Sequence, residues 1–192
     1  MKIAVDIDEV LCKTNDYFLD HFNKEHNSNL KREFITDYTY NSFKNYGFEN
    51  SYVFSKLVEF VRRDMENFNI VEEAVLILKE LKKLGHELYI LTSRSKILYE
   101  RTCSWLENYF GKGFFKEIIF TDGFEKESIC KSDVCINFGI DILIEDAPHY
   151  AFNTSQKGVK VLLMDCPWNY KINENENLVK VKNWNDIYQK LV

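Results

Sequence analysis

Asp6 and Asp8, separated by Ile7, directly follow the apolar run Ile3-Ala4-Val5. Residues two apart on a strand share a face, so the two carboxylates are expected to lie close together unless the chain has already turned. Like charges at such range raise one pKa or attract a cation. A hard divalent ion such as Mg2+, held by one or two carboxylates and its own waters, relieves the repulsion and leaves room for a phosphate. An isolated D-x-D is more often a solvated turn. The rest of the chain must decide between these readings.

The elements around this pair suggest what positions it. Asn15 to Asn23 has amphipathic helical spacing, residues 25 to 46 show no clear strand alternation, and Ser51 to Phe68 regains helical spacing. Glu72 to Leu84 is a helix followed by Gly85, where a C′ residue belongs. Beyond it the pattern predicts strand Glu87–Leu91, helix Lys96–Tyr109, strand Glu117–Phe120, helix Lys131–Phe138 and strand Ile142–Ile144. Helix Tyr150–Gln156, strand Val159–Met164 and a final helix near Trp184–Leu191 follow. Strands alternating with helices imply βαβ units, a parallel sheet and right-handed crossovers, an α/β class.

In a parallel sheet the carboxyl ends of the strands share one edge, where open α/β folds collect ligands. Thr92, Ser93 and Arg94 end the second strand, Lys131 opens a helix, and Glu145 and Asp146 end the strand Ile142–Ile144. Taken singly, Thr92-Ser93 could cap a helix, Lys131 could be a surface lysine, and Glu145-Asp146 could cap the next helix. Arg94 is equally placed to meet a phosphate, the helical insert or a surface carboxylate. Together these groups supply phosphoryl chemistry. That chemistry needs an ionised carboxylate nucleophile, a second acid to protonate the departing alcohol and then activate water, and cations and donors for the phosphoryl oxygens.

The motifs D-I-D-E-V-L, L-T-S-R, K-S-D-V-C and L-I-E-D-A-P occur in the order found in the haloacid dehalogenase-like (HAD) phosphohydrolases. The chain resembles that superfamily along nearly its whole length, and the wording is closest to the 5′(3′)-deoxyribonucleotidases and related bacterial nucleotidases. The resemblance implies a Rossmann-like three-layer core over residues 1–13 and 71–192, with a small helical cap inserted after the first strand at 14–70. It implies Asp6 as nucleophile, Asp8 as general acid/base, Thr92 as phosphate ligand and Lys131 as charge stabiliser. Asp6, Asp8 through its backbone carbonyl, Glu145 and Asp146 become the Mg2+ site. Glu145 stands where the common motif has Asp, which leaves open which of the two acids binds the metal directly.

Ser93 and Arg94 join the expected substrate contacts. The insert is rich in aromatic residues, from which Tyr17, Phe18 and Tyr38 are selected as candidates to stack on a base. The substrate class implied is a small phosphomonoester, with a nucleotide ahead of a sugar phosphate. A non-catalytic phosphate-binding module on the same fold is the contrasting reading.

Bulk properties agree. The 192 residues, 45% hydrophobic and 29% charged, suit one globular domain with room for an insertion. A net charge of −5 offers no basic stripe for a nucleic-acid polymer. Cys12, Cys103, Cys130, Cys135 and Cys166 are odd in number and form no C-x-x-C pair, so reduced thiols in a cytoplasmic protein are expected. The acids at positions 6, 8 and 9 do not fit a signal peptide, and no apolar stretch is long enough to span a membrane. A homodimer is compatible with the sequence.

Overall fold

The computed structural model describes residues 1–122 and 129–192. β1 (Lys2–Val5) lies at the centre of a parallel sheet with β2 (Glu87–Thr92), β3 (Glu117–Phe120), β4 (Ile142–Glu145), β5 (Lys160–Met164) and β6 (Leu178–Val181), in the order β3-β2-β1-β4-β5-β6. Val5 is level with Ile90 on one side and Ile144 on the other. That register brings Asp6, Thr92 and Glu145 to one edge, at the point where the strand order reverses.

The strand residues are apolar on both faces because both faces are covered. Ile3, Val5, Ile90 and Ile144 pack with Ala74, Leu78 and Leu81 of α3 (Glu72–Lys83), Leu106 of α4 (Tyr99–Phe110) and Ile187 of α7 (Trp184–Leu191). Ala4, Leu91, Leu143 and Val161 face the other way, toward Val134 of α5 (Lys131–Phe138) and Ala151 of α6 (Pro148–Gln156). The result is the three-layer α/β arrangement expected from the alternation of elements. Each fully buried Leu, Ile, Val or Phe stabilises the fold by about 1.5–3 kcal/mol.

β6 is not among the strands expected from sequence. It has only four residues, of which Leu178 and Val181 are buried, and it follows the polar stretch from Asn173 to Asn177. An edge strand this short carries too little alternation to announce itself. Residues 25 to 46, without a regular pattern in sequence, hold two short 3-10 turns, Arg32–Phe34 and Asn41–Tyr46.

The helical insert leaves the sheet through a narrow neck. Cys12 bridges to Ile70 in antiparallel sense, and Val71 N donates to Leu11 O at 2.7 Å. Within the insert, α1 (Thr14–His26) and α2 (Asn50–Asp64) pack an aromatic cluster that is continuous with the core on one face of the sheet. Phe18 and Phe22 lie one helical turn apart, and Phe18 meets Tyr40 and Phe60 while Phe22 meets Phe43 and Phe48. Phe18, a sequence candidate for base stacking, is completely buried there. Its i, i+4 relation to Phe22 turns it into the insert rather than toward a ligand. Phe18→Ala should therefore lower stability by roughly 3–5 kcal/mol and reduce Tm by roughly 6–20 °C. A thermal melt within about 2 °C of the parent would remove Phe18 from the core.

Candidate active site

Lys131 is the first residue of α5 and is fully buried. A cation at a helix N-terminus opposes the helix dipole, and burial of an ammonium costs several kcal/mol unless it is paired. Its partners are Glu145 Oε2 at 2.7 Å and Asp6 Oδ1 at 3.0 Å. Burial lowers the proton affinity of Lys131, but Asp6 and Glu145 outweigh it and hold the lysine firmly cationic. The second oxygen of Glu145 accepts from Ala147 N at 3.0 Å and Asp146 N at 3.2 Å. Both Glu145 oxygens are thus occupied by the protein.

Asp6, Glu145 and Asp146 are all buried, with ligand atoms within 4.8 Å of one another. Burial and then the Glu145 charge push the Asp6 carboxyl up to about 8. The same two causes raise Asp146 well above the usual carboxylate range. Lys131 Nζ touches Asp6 Oδ1 without hydrogen-bond alignment, and that oxygen has no hydrogen-bond partner among the described residues. Three buried carboxyl groups against one ammonium place more acid than base in the site, an imbalance that a divalent cation displacing their protons would relieve. The donor set, all hard oxygen, suits such an ion.

Asp8 faces a different neighbour. Arg94 grips it with both arms of the guanidinium, Nε to Oδ2 at 2.9 Å and Nη2 to Oδ1 at 2.8 Å, and Thr14 Oγ1 donates to Oδ1 at 2.5 Å. Burial alone would raise the Asp8 carboxyl, but Arg94 and then Thr14 overcome it and hold it below the usual range. The Asp8 carboxylate is not part of the acidic cluster formed by Asp6, Glu145 and Asp146.

Three residues that were not singled out from the sequence complete the surroundings. Glu9 adopts a left-handed backbone, φ 68°, and is buried. Its carboxylate accepts from Asn15 N at 2.6 Å and pairs with Arg32 of the insert at 2.6 Å. The Arg32 guanidinium lies 4.8 Å from the ring centroid of Trp168, whose Nε1 donates to Asp146 Oδ2 at 2.8 Å. Glu9 adjoins the D-x-D motif and could have been weighed with it. Arg32 and Trp168 sit in irregular turns, where no periodicity marks them.

A cleft of about 970 Å³, including its open mouth, lies between sheet edge and insert. Asp6, Asp8, Ser93, Arg94 and Asp146 form its floor, and Ile35, Phe54, Leu57, Val58, Val61 and Leu98 give it an apolar wall. Tyr38 also lines it, with its ring 4.8 Å from that of His149. Tyr17 does not: its ring stacks on Phe68 and its hydroxyl accepts from Asn69 N at 3.0 Å. Thr92 is fully buried behind the floor, and its hydroxyl accepts from Arg94 N at 3.2 Å. Cys12 is buried beside Asp8, and burial pushes its thiol far above the reactive range.

A parallel sheet with an acid pair at its switch point, a buried lysine and a helical insert after the first strand is the arrangement of a HAD-type hydrolase. Solved structures agree with the fold. A predicted phosphatase from Clostridium acetobutylicum superposes with a TM-score of 0.69 at 14% identity, covering 99% of this chain and 97% of that one. A HAD hydrolase of Bacillus subtilis, crystallised with magnesium, superposes with a TM-score of 0.62 at 15% identity, covering 99% and 97%. Residues 1–192 match the family described as 5′ nucleotidase, deoxy (pyrimidine), cytosolic type C protein, and the chain belongs to that family of phosphomonoester hydrolases. A nucleotidase of Clostridium acetobutylicum is 23% identical over 188 residues, covering 98% of this chain and 92% of the relative.

Two outcomes follow from the acidic cluster. Because burial and the Glu145 charge raise the proton affinity of Asp6 and Asp146, protons compete with a divalent cation for these two carboxylates. Calorimetry should show tighter Mg2+ binding at about pH 8.5 than at about pH 6.5, with proton release into the buffer; a pH-independent affinity would contradict this. Trp168→Phe frees Asp146 Oδ2 and should weaken Mg2+ binding about tenfold in the same measurement.

Proposed function

We propose that the protein is a Mg2+-dependent nucleotidase that hydrolyses (deoxy)ribonucleoside monophosphates through a phospho-aspartate on Asp6. The observation that carries this reading is a single cleft with two unlike sides. Acid and cation from the sheet edge line it together with six apolar side chains and the rings of Tyr38, Tyr40 and Trp168. A sugar phosphate would need hydrogen-bond donors where the apolar wall offers hydrocarbon, whereas a flat base has an apolar face to bury.

In the proposed sequence, Asp6 attacks phosphorus in line as the bond to the leaving oxygen breaks, and Asp8 gives that oxygen its proton. The products of this half are the nucleoside and phospho-Asp6. Asp8, now ionised, takes a proton from water as the water attacks phosphorus and the bond to Asp6 breaks, releasing inorganic phosphate. The substrate's phosphate dianion, brought beside Asp8, opposes its ionisation and loads it with the proton it must give. Lys131 keeps Asp6 in place and lies ready to offset charge on the phosphoryl oxygens. Asp6, Asp146 and the Asp8 carbonyl would hold Mg2+, whereas Glu145, with both oxygens already engaged, positions Lys131 and the Asp146 backbone. When bound, Mg2+ supplies Lewis-acid stabilisation of the phosphoryl group. The insert acts as a cap over residues 14–70, excluding water from the phosphoryl group, with Tyr38 and the apolar wall meeting the base. Reduced thiols at all five cysteines suit work in the cytoplasm.

A substrate panel tests the reading directly. Deoxyribo- and ribonucleoside monophosphates should be turned over faster than sugar phosphates, with a kcat/KM advantage of at least about tenfold from burial of the base. Equal rates on both classes would sink the nucleotidase assignment. Asp6→Asn should keep the fold by circular dichroism and abolish Mg2+-dependent phosphate release.

A further inference from the structure

The paired hold of Arg94 on Asp8 is not needed to bind a phosphate. We propose that Arg94 is a positioning residue for Asp8: its two-armed hydrogen bond fixes the plane of the carboxylate so that Oδ2 meets the leaving oxygen of the substrate. This inference rests on the proposed phosphomonoesterase reaction and extends it.

Four observations support the assignment. Arg94 is itself buried, only 4% exposed, so it is not a mobile side chain scanning the cleft. Its remaining surfaces are taken up elsewhere: Nη1 points to Met65 Sδ at 3.7 Å, Nη2 also lies 3.8 Å from Cys12 Sγ, and the guanidinium stands 5.9 Å from the Trp105 ring centroid. Its backbone N–H is tied to the Thr92 hydroxyl at 3.2 Å. Finally, the load on the two Asp8 oxygens is unequal. Oδ1 accepts from Arg94 Nη2 and Thr14 Oγ1, with the Cys12 thiol at 3.9 Å, whereas Oδ2 accepts only from Arg94 Nε. Oδ2 therefore keeps a lone pair for a proton, and the Asp8 side chain is 31% exposed, facing the cleft.

A planar fork holds a carboxylate in both position and rotation; a lysine ammonium holds position alone. Misrotation of Asp8 harms proton delivery to a poor leaving group such as a nucleoside alkoxide. It matters little for p-nitrophenolate, which departs without a proton. A phosphate-binding arginine would have the opposite signature, weakening the affinity for phosphate whatever the leaving group.

The experiment compares the full-length protein with Arg94→Lys, and with Arg94→Gln should the lysine variant not fold by circular dichroism. Pre-steady-state formation of p-nitrophenol from p-nitrophenyl phosphate reports the first step without protonation, and deoxynucleoside monophosphate turnover reports it with protonation. Loss of general-acid positioning should lower nucleotide kcat by about 100-fold. The p-nitrophenol burst rate and the Ki for inorganic phosphate should stay within about threefold. In an Asp8→Asn background, Arg94→Lys should add no further loss, because the two residues act as a unit. Equal losses on both substrates, a Ki for phosphate raised tenfold or more, or additive losses with Asp8→Asn would each overturn the inference. A parent protein inactive on both substrates would instead bring down the phosphomonoesterase reading itself.

Discussion

The buried Lys131 is the constraint around which this molecule is arranged. An ammonium with no access to water, placed at the wrong end of a helix, is tolerable only if carboxylates converge on it from other strands. β1 delivers Asp6 and β4 delivers Glu145, and the level register of the central strands lets both reach the same nitrogen. The lysine over-satisfies neither. Asp6 keeps an oxygen without a hydrogen bond among the described residues, and with Asp146 nearby the cluster holds more carboxyl groups than cations. Stability and chemistry are therefore set by one balance, in which the folded chain holds most of the charges but not all of them.

The sheet edge was the most legible part of the sequence. Apolar runs ending in Asp6, Thr92 and Glu145 follow from a parallel sheet buried on both faces, and such a sheet fixes which residues can meet. Lys131 was legible only through its place in the order of motifs, since nothing in its local surroundings marks a buried lysine. The insert was harder to read. Phe18, Tyr17 and Tyr38 have the same composition signal, yet Phe18 fills a core, Tyr17 stacks on Phe68 and only Tyr38 reaches the cleft. An aromatic side chain at helical spacing does not reveal which side of a small domain faces a ligand. Arg32 and Trp168 were invisible for a different reason: their partners, Glu9 and Asp146, are distant in sequence and the turns that carry them have no period.

The two acids of the D-x-D motif lie two residues apart but belong to separate electrostatic environments. Asp6 faces an excess of negative charge, and burial raises its proton affinity. Asp8 faces a guanidinium that lowers its own. Two identical side chains are thereby made chemically unlike, the general means by which paired carboxylates acquire distinct roles. The residues that make the difference, Glu145 and Arg94, come from two other strand ends. The parallel sheet is what allows a short motif to be tuned from so far away.

Glu9 gives the left-handed turn after β1 a second meaning. Glycine would take that conformation at no steric cost, so the carboxylate is retained at the expense of backbone ease. It anchors the neck side of the cleft to Arg32 of the insert. Whatever separates the insert from the sheet edge must part this pair, so the geometry of the cleft is tied to the turn after β1.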